Sequence, residues 1–185
     1  MPAIKVNVLY GGSSSEREIS LNSGAAVAKA LSNGGFDVEL TDITHCKLLP
    51  SMKRCDVIYP VLHGGFGEDG KLQKLMEIAG LRFACSGSAA CAEVMDKIAT
   101  KRLLDKTKLP TAPWKMITRG NCAFPEELGL PLIVKVPCEG STVGIIKVDC
   151  KEDWEKALEE EFKLADELLV ESFISGVEIS IPVVS

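Results

Sequence analysis

The chain lacks the spacings that hold a structural metal. It has two histidines, His45 and His63, and neither stands beside a pair of cysteines. Its seven cysteines, Cys46, Cys55, Cys85, Cys91, Cys122, Cys138 and Cys150, contain no C-x-x-C. That excludes the common zinc patterns. An odd cysteine count in a chain of 185 residues also argues against a disulfide scaffold. Free thiols in a reducing cytoplasm are the simplest reading. No apolar run approaches the roughly 20 residues needed to cross a bilayer, so no membrane contact is expected. Met1 to Val8 has neither a basic n-region nor a long apolar h-region, so no secretory leader is expected. Positive charge is in deficit: 21 Lys and Arg against 26 Asp and Glu give a net charge of −5. That excludes a general nucleic-acid binder and leaves room for a local basic groove. Internal repeats and low-complexity segments are missing too. What remains is an ordinary globular composition, 46% hydrophobic and 25% charged, long enough for one or two cores.

Two stretches stand out against that background. One is Gly11-Gly12-Ser13-Ser14-Ser15-Glu16-Arg17-Glu18-Ile19-Ser20, and the other is His63-Gly64-Gly65-Phe66-Gly67-Glu68-Asp69-Gly70. Each follows a strand-like run, Ile4 to Tyr10 and Asp56 to Leu62, and each leads into a helical pattern. Ile19, Ser23, Val27, Ala30 and Leu31 keep helical spacing up to Asn33-Gly34-Gly35. Phe36 to Leu40 alternates as a strand, and Leu72, Leu75, Met76 and Ala79 form a second helical stripe. This rhythm predicts βαβ units and a parallel sheet. Gly-rich turns at the ends of adjacent strands are where such sheets bind ligands. These turns carry a carboxylate and an imidazole, enough to hold both ends of a small amino acid.

Near residue 93 the character changes. Asp96 to Lys108 reads as a charged amphipathic helix with Ile98, Leu103 and Leu104 apolar, ended by Leu109-Pro110-Thr111-Ala112-Pro113. Trp114 to Thr118, Leu132 to Val136, Gly144 to Val148, Leu168 to Phe173 and Val177 to Val184 are strand-like. Lys151 to Leu164 is a helix with Trp154, Leu158 and Phe162 in one stripe. Strands joined by turns predict an antiparallel sheet with helices on one face. The expected domains are 1–92 and 93–185. Ile179 to Ser185 is apolar with no turn or polar tail, a free edge that a domain seldom leaves; the expectation is a truncated chain.

Glu139-Gly140-Ser141-Thr142-Val143-Gly144 lies between two of these strands. It reads either as a hairpin loop or as a lid whose N–H groups and hydroxyls cover phosphates. It is not a Walker A loop. Lys135 sits mid-strand among apolar residues and needs either a phosphate or a carboxylate. Lys97, at a helix start, reads more simply as a solvated lysine. Glu171 and Glu178 flank a turn that either bears surface acids or meets an adenine edge and a ribose. Glu16 reads as a first-turn acid favoured by the helix dipole or as a ligand for an ammonium, and His63 as a strand-end histidine or a carboxylate ligand.

Together these stretches resemble the D-alanine–D-alanine ligase family of ATP-grasp enzymes. The matching residues are Gly11-Gly12 with Ser15 to Ser20; His63-Gly64 with Gly67 to Gly70 and Gln73; Met95-Asp96-Lys97; Pro131 to Lys135; Glu139 to Gly144; and Glu171 with Gly176 and Glu178. The resemblance spans nearly the whole chain. It implies an α/β fold: an N-terminal open parallel, Rossmann-like domain, then the α+β first lobe of an ATP-grasp fold. It implies ATP-dependent ligation of two D-alanines through an acyl phosphate, for peptidoglycan synthesis, by a cytoplasmic homodimer. Glu16 would hold the ammonium of the first D-alanine and His63 its carboxylate, with Ser141 linking lid to substrate site and Glu68 supporting the His63 loop. Lys97, Lys135, Glu139, Gly140, Ser141 and Thr142 would line the ATP phosphates. Glu171, Phe173 and Ile174 would meet adenine, and Glu178 the ribose. The family's magnesium ligands and its oxyanion-stabilising arginine have no counterpart here, so the 185-residue chain alone is expected to be inactive. Alternatives are a related ligase with D-lactate or D-serine as second substrate, or a non-catalytic nucleotide-binding or dimerisation fragment. Three departures concern local geometry. Arg82-Phe83-Ala84-Cys85-Ser86 replaces the family's Pro-Tyr-Thr-Gly-Ser, Thr142 replaces a serine, and Val136 replaces the proline after Lys135.

Overall fold

The computed structural model describes residues 2–140 and 143–181. Two compact units divide it, Met1–Met95 and Asp96–Ser185.

In the first unit β1 (Lys5–Gly11), β2 (Asp37–Ile43) and β3 (Val57–Pro60) form a parallel sheet in the order β2-β1-β3. The central strand β1 is buried from Val6 to Leu9, as expected for a parallel strand covered on both faces. Helix α1 (Arg17–Asn33) returns the chain from β1 to β2. Its buried face is Ser20, Gly24 and Ala28; of the expected stripe Val27 and Leu31 are half-buried against the same core, while Ile19 is 56% exposed. Small residues let the helix approach closely: a Cβ on Gly24 would lie 2.5 Å from the Tyr10 Cβ. Helix α2 (Lys71–Ile78) buries Leu72 and Met76 against Leu9, Met52 and Ile58. Helix α3 (Ser88–Met95) was not anticipated, because Ser-Ala-Ala-Cys has no apolar periodicity; none of its residues is buried.

The second unit is an antiparallel sheet in the order β4-β7-β5-β6, from β4 (Trp114–Thr118), β5 (Leu132–Lys135), β6 (Ile145–Val148) and β7 (Glu167–Ser172). Helix α5 (Trp154–Glu161) lays Trp154, Leu158 and the following Phe162 on Leu132, Val134, Leu168 and Val170. Strand alternation then puts Lys135 and Glu171 on the opposite face. Helix α4 (Lys97–Thr107) starts at Asp96, whose carboxylate caps the N–H groups of Ile98 and Ala99 at 2.8 and 3.2 Å. Leu103, expected on its apolar side, is 42% exposed; Ile98 and Lys101 are the buried positions.

One expected strand does not form where it is described. Residues 177–181 of the run Val177 to Val184 have no regular structure, and Val177 is 90% exposed. β-branched residues favour a strand only when another strand supplies hydrogen bonds, and no strand pairs with this stretch among the described residues. The rest of that run lies outside them. So do Ser141 and Thr142.

Candidate functional site

The first unit assembles its candidate residues from two turns tied together by serine hydroxyls. β1 ends in Gly11, and Gly12 follows it, both with φ +87°. Glycine is needed at residue 11, where a Cβ would meet the Asp42 carboxylate at 2.1 Å and the Arg17 guanidinium at 2.5 Å. Arg17 reaches back over that turn, donating to Gly12 O at 3.0 Å and to both Asp42 oxygens at 2.8 and 2.5 Å. The hydrogen bond from Arg17 holds the Asp42 carboxyl below its ordinary value. Ser20 Oγ accepts from Gly11 N at 2.9 Å and donates to Val61 O at 2.5 Å, joining β1 to the segment after β3. Ser14 Oγ accepts from Glu16 N at 3.2 Å and donates to His63 O at 2.5 Å.

These ties bring Glu16 to the His63 turn. Glu16 Oε2 lies where a Cβ on Gly64 would come within 3.0 Å, so the carboxylate faces the backbone of the second turn. Glu16 occupies the N-cap position of α1 but makes no side-chain capping hydrogen bond. The first-turn acid is Glu18, for which the dipole reading suffices. His63 is oriented by Ser23, 3.1 Å from Nε2, and by Glu68, 3.9 Å from Nδ1. Gln73, fully buried, donates to Gly67 O at 2.7 Å and fixes the rest of that turn. A carboxylate, an imidazole and a helix N-terminus therefore converge within one unit. That set can hold a zwitterion at both ends.

In the second unit the loop between β5 and β6 is gripped at its stem. Lys97 Nζ donates to Val136 O and Pro137 O, each at 3.3 Å, and to Glu139 O. It is half-buried rather than solvated. Burial, and then the like charge of Lys135, lowers its pKa below the ordinary lysine value. Gly144 closes the stem with φ +65°, and a Cβ there would strike Val136 Cγ2 at 2.6 Å. A shallow cavity of about 260 Å³ beside the stem is walled by Asp96, Glu139 and Glu167. Three carboxylates there repel a phosphate, so an anion belongs on the Lys135 side.

Lys135 has a carboxylate partner. Its Nζ pairs with Glu171 Oε1, while Glu171 Oε2 pairs with Lys101 Nζ at 2.8 Å. Lys101 is the residue that sequence reasoning missed. The signal was present: it stands three residues after Ile98, on the buried face of α4. Burial pushes the Glu171 carboxyl up, but hydrogen bonds from Lys101 and Lys135 outweigh it and hold the group below its ordinary value. Phe173 and Ile174 are exposed just beyond Glu171, and Lys147 Nζ stands 4.8 Å from the Phe173 ring centre. Glu178 is exposed in the irregular segment that follows β7. Ser141 and Thr142 lie outside the described residues. Among the described residues no three His, Cys, Asp or Glu side chains are placed to hold a metal ion, and no helix is long and apolar enough to cross a membrane.

Comparison with known proteins agrees along the chain. The family model for the D-ala D-ala ligase N-terminus matches residues 44–86, and that for the D-ala D-ala ligase C-terminus matches residues 103–185. The D-alanine–D-alanine ligase of Actinobacillus pleuropneumoniae serotype 5b is 42% identical over 185 residues, covering 97% of this chain and 61% of the relative. That of Geobacter sulfurreducens is 42% identical over 182 residues, covering 96% and 57%. The crystal structure of the Bacillus anthracis ligase complexed with ATP superposes with a TM-score of 0.84 at 28% identity, covering 94% of this chain and 60% of that one. D-alanyl-alanine synthetase A of Vibrio cholerae gives a TM-score of 0.77 at 25% identity, covering 95% and 60%. The chain thus spans about 60% of the length of the relatives it matches.

Proposed function

Because the chain belongs to the D-alanine–D-alanine ligase family, we propose that it takes part in the ATP-dependent joining of two D-alanines for cell-wall synthesis. In this reading Glu16 receives the ammonium of the first D-alanine and His63 its carboxylate. Lys135 faces the ATP phosphates; Lys97, whose three donors rest on Val136 O, Pro137 O and Glu139 O, reaches them by exchanging one of these carbonyls for a phosphate oxygen. Glu171 with the backbone of 172–174 faces the adenine. Glu178 would take the ribose, and Glu139, Gly140, Ser141 and Thr142 the lid over the phosphates. The γ-phosphoryl group passes to a carboxylate oxygen of the first D-alanine, breaking the bond to ADP and forming an acyl phosphate. The amine of the second D-alanine attacks the carbonyl carbon and loses a proton. The tetrahedral intermediate collapses by expelling phosphate and leaves the peptide bond. Lysines near the phosphates offset the charge that develops on transfer, and a closed lid keeps water from the acyl phosphate. Among the described residues no three His, Cys, Asp or Glu side chains are placed to hold magnesium. ATP as co-substrate and unpaired cysteines fit a cytoplasmic location, and the family resemblance implies a homodimer.

The observation that carries this reading is Lys135: an ammonium on the last residue of β5, where the chain enters a Gly-rich loop, balanced by a carboxylate that it shares with a second lysine. Calorimetry tests it. Lys135→Ala should weaken ATP binding by about 1.5–3 kcal/mol, the scale of a charge-assisted hydrogen bond. Unchanged ATP affinity in a folded variant removes Lys135 from the nucleotide site.

A further inference from the structure

Lys101 lies outside every group assigned so far, yet it is among the most constrained cations of the second unit. Its side chain is 9% exposed. Its three N–H groups have three acceptors: Thr111 Oγ1 at 2.6 Å, Ala112 O at 3.0 Å and Glu171 Oε2 at 2.8 Å. An ammonium has three donors, so none is left for a ligand. Lys135 differs. Its side chain is 24% exposed, and among the described residues its ammonium has one partner, Glu171. Glu171 itself is 11% exposed and meets one lysine with each oxygen. Two ammoniums share one carboxylate, and the cluster carries a net charge of +1.

We propose that Lys101 is a positioning residue that acts through Glu171: by neutralising that carboxylate it leaves Lys135 with uncompensated positive charge for a polyphosphate. Without Lys101, Glu171 would answer Lys135 alone and the cluster would be neutral. A polyphosphate would then have to displace a full ion pair. With Lys101 in place, Lys135 swings from Glu171 to an anion at lower cost, because Glu171 keeps a fixed partner. The tether to Thr111 and Ala112 holds Lys101 still while this happens. The inference rests on the nucleotide reading of Lys135 and adds the residue that sets its charge.

The test uses inorganic tripolyphosphate, which carries the phosphate chemistry without adenine or ribose. Its affinity is measured by calorimetry at low salt. Lys101→Met should weaken tripolyphosphate binding about tenfold, the effect of removing one charge at a distance inside a partly screened site. Adding Glu171→Gln to that variant removes the carboxylate as well, restores a net +1, and should return the affinity to that of the parent. A packing role for Lys101 predicts no such recovery. Full affinity in Lys101→Met, or a double variant as weak as the single one, overturns the inference and leaves Lys135 as a phosphate ligand. No tripolyphosphate binding by the parent chain overturns the phosphate reading of Lys135 itself, and the inference with it. If Lys101→Met fails to fold, the double variant decides alone, because it buries no unpaired charge: parental affinity supports the inference, and a tenfold loss overturns it.

Discussion

Glu16 shows how a single residue separates two physical roles. As a carboxylate at a helix N-terminus it suits the dipole, yet it makes no side-chain cap and faces Gly64 instead. If the dipole were its whole purpose, Glu16→Gln would cost about 0.3–1 kcal/mol of stability and leave D-alanine binding unchanged. If it receives the substrate ammonium, the same change should raise the apparent Kd for D-alanine about 10- to 100-fold, for a lost charged hydrogen bond of about 1.5–3 kcal/mol. NMR titration of β1 and the His63 turn with D-alanine reads that difference, and parental affinity in the variant would falsify the substrate role. The sequence showed the types of these residues, and the structure shows their ties. Glu16 and His63 were legible because each stands in a Gly-rich turn that follows a strand. The hydroxyls that join the turns, Ser14 and Ser20, were not, because their acceptors His63 O and Val61 O lie about 40 to 50 residues away. Lys101 escaped for the same reason: its carboxylate partner Glu171 lies far along the chain, on β7.

Elements were legible where packing follows pattern. β5 alternates Leu132 and Val134 inward with Ile133 and Lys135 outward, and β7 buries Leu168 and Val170 on the same core. α1 was read in part: Val27 and Leu31 of the expected stripe pack against the core, but close packing on β1 puts Ser20, Gly24 and Ala28 at its centre and leaves Ile19 exposed. α5 holds a conflict of its own. Trp154, Ala157, Leu158 and Glu161 occupy one buried stripe, so an acid stands at an apolar position. Among the described residues Glu161 Oε2 has no hydrogen-bond partner, and it lies 3.0 Å from where a Cβ on Gly144 would stand. Burial, with Glu160 adding to it, raises the Glu161 carboxyl above its ordinary value. The native state then binds more protons than the unfolded chain. The associated stability is complete below the unfolded value of about 4.3 and is lost as pH rises through the raised folded value. Glu161→Gln removes that loss. Urea unfolding should show the variant more stable than the parent at about pH 8, by about 1 kcal/mol, and nearly equal to it at about pH 4. An equal gap at both pH values would mean that Glu161 is ionised in the native state throughout.

At the scale of the whole molecule, each unit carries its own hydrophobic core and its own half of the candidate chemistry. Leu9, Met52, Ile58, Leu72 and Met76 belong to the first; Leu132, Val134, Val170, Trp154 and Phe162 belong to the second. The groups proposed for D-alanine, Glu16 and His63, lie in Met1–Met95. Those proposed for ATP, Lys97, Lys135 and Glu171, lie in Asp96–Ser185. Both tryptophans, Trp114 and Trp154, are in the second unit, and both tyrosines, Tyr10 and Tyr59, in the first. Tryptophan fluorescence therefore reports the second core alone. A ligand that binds only native protein stabilises whatever unfolds with its site, by about 2.7 kcal/mol at 100 times its Kd. Added ATP should therefore move the tryptophan-detected urea midpoint upward. Hydrogen exchange of β1 amides, read in parallel, should keep its parental protection if the first unit opens independently. A rise in β1 protection equal to the gain seen by tryptophan would mean that both units open in one step. No gain by either probe at saturating ATP would remove the nucleotide from the second unit, and with it the division of substrates between the two.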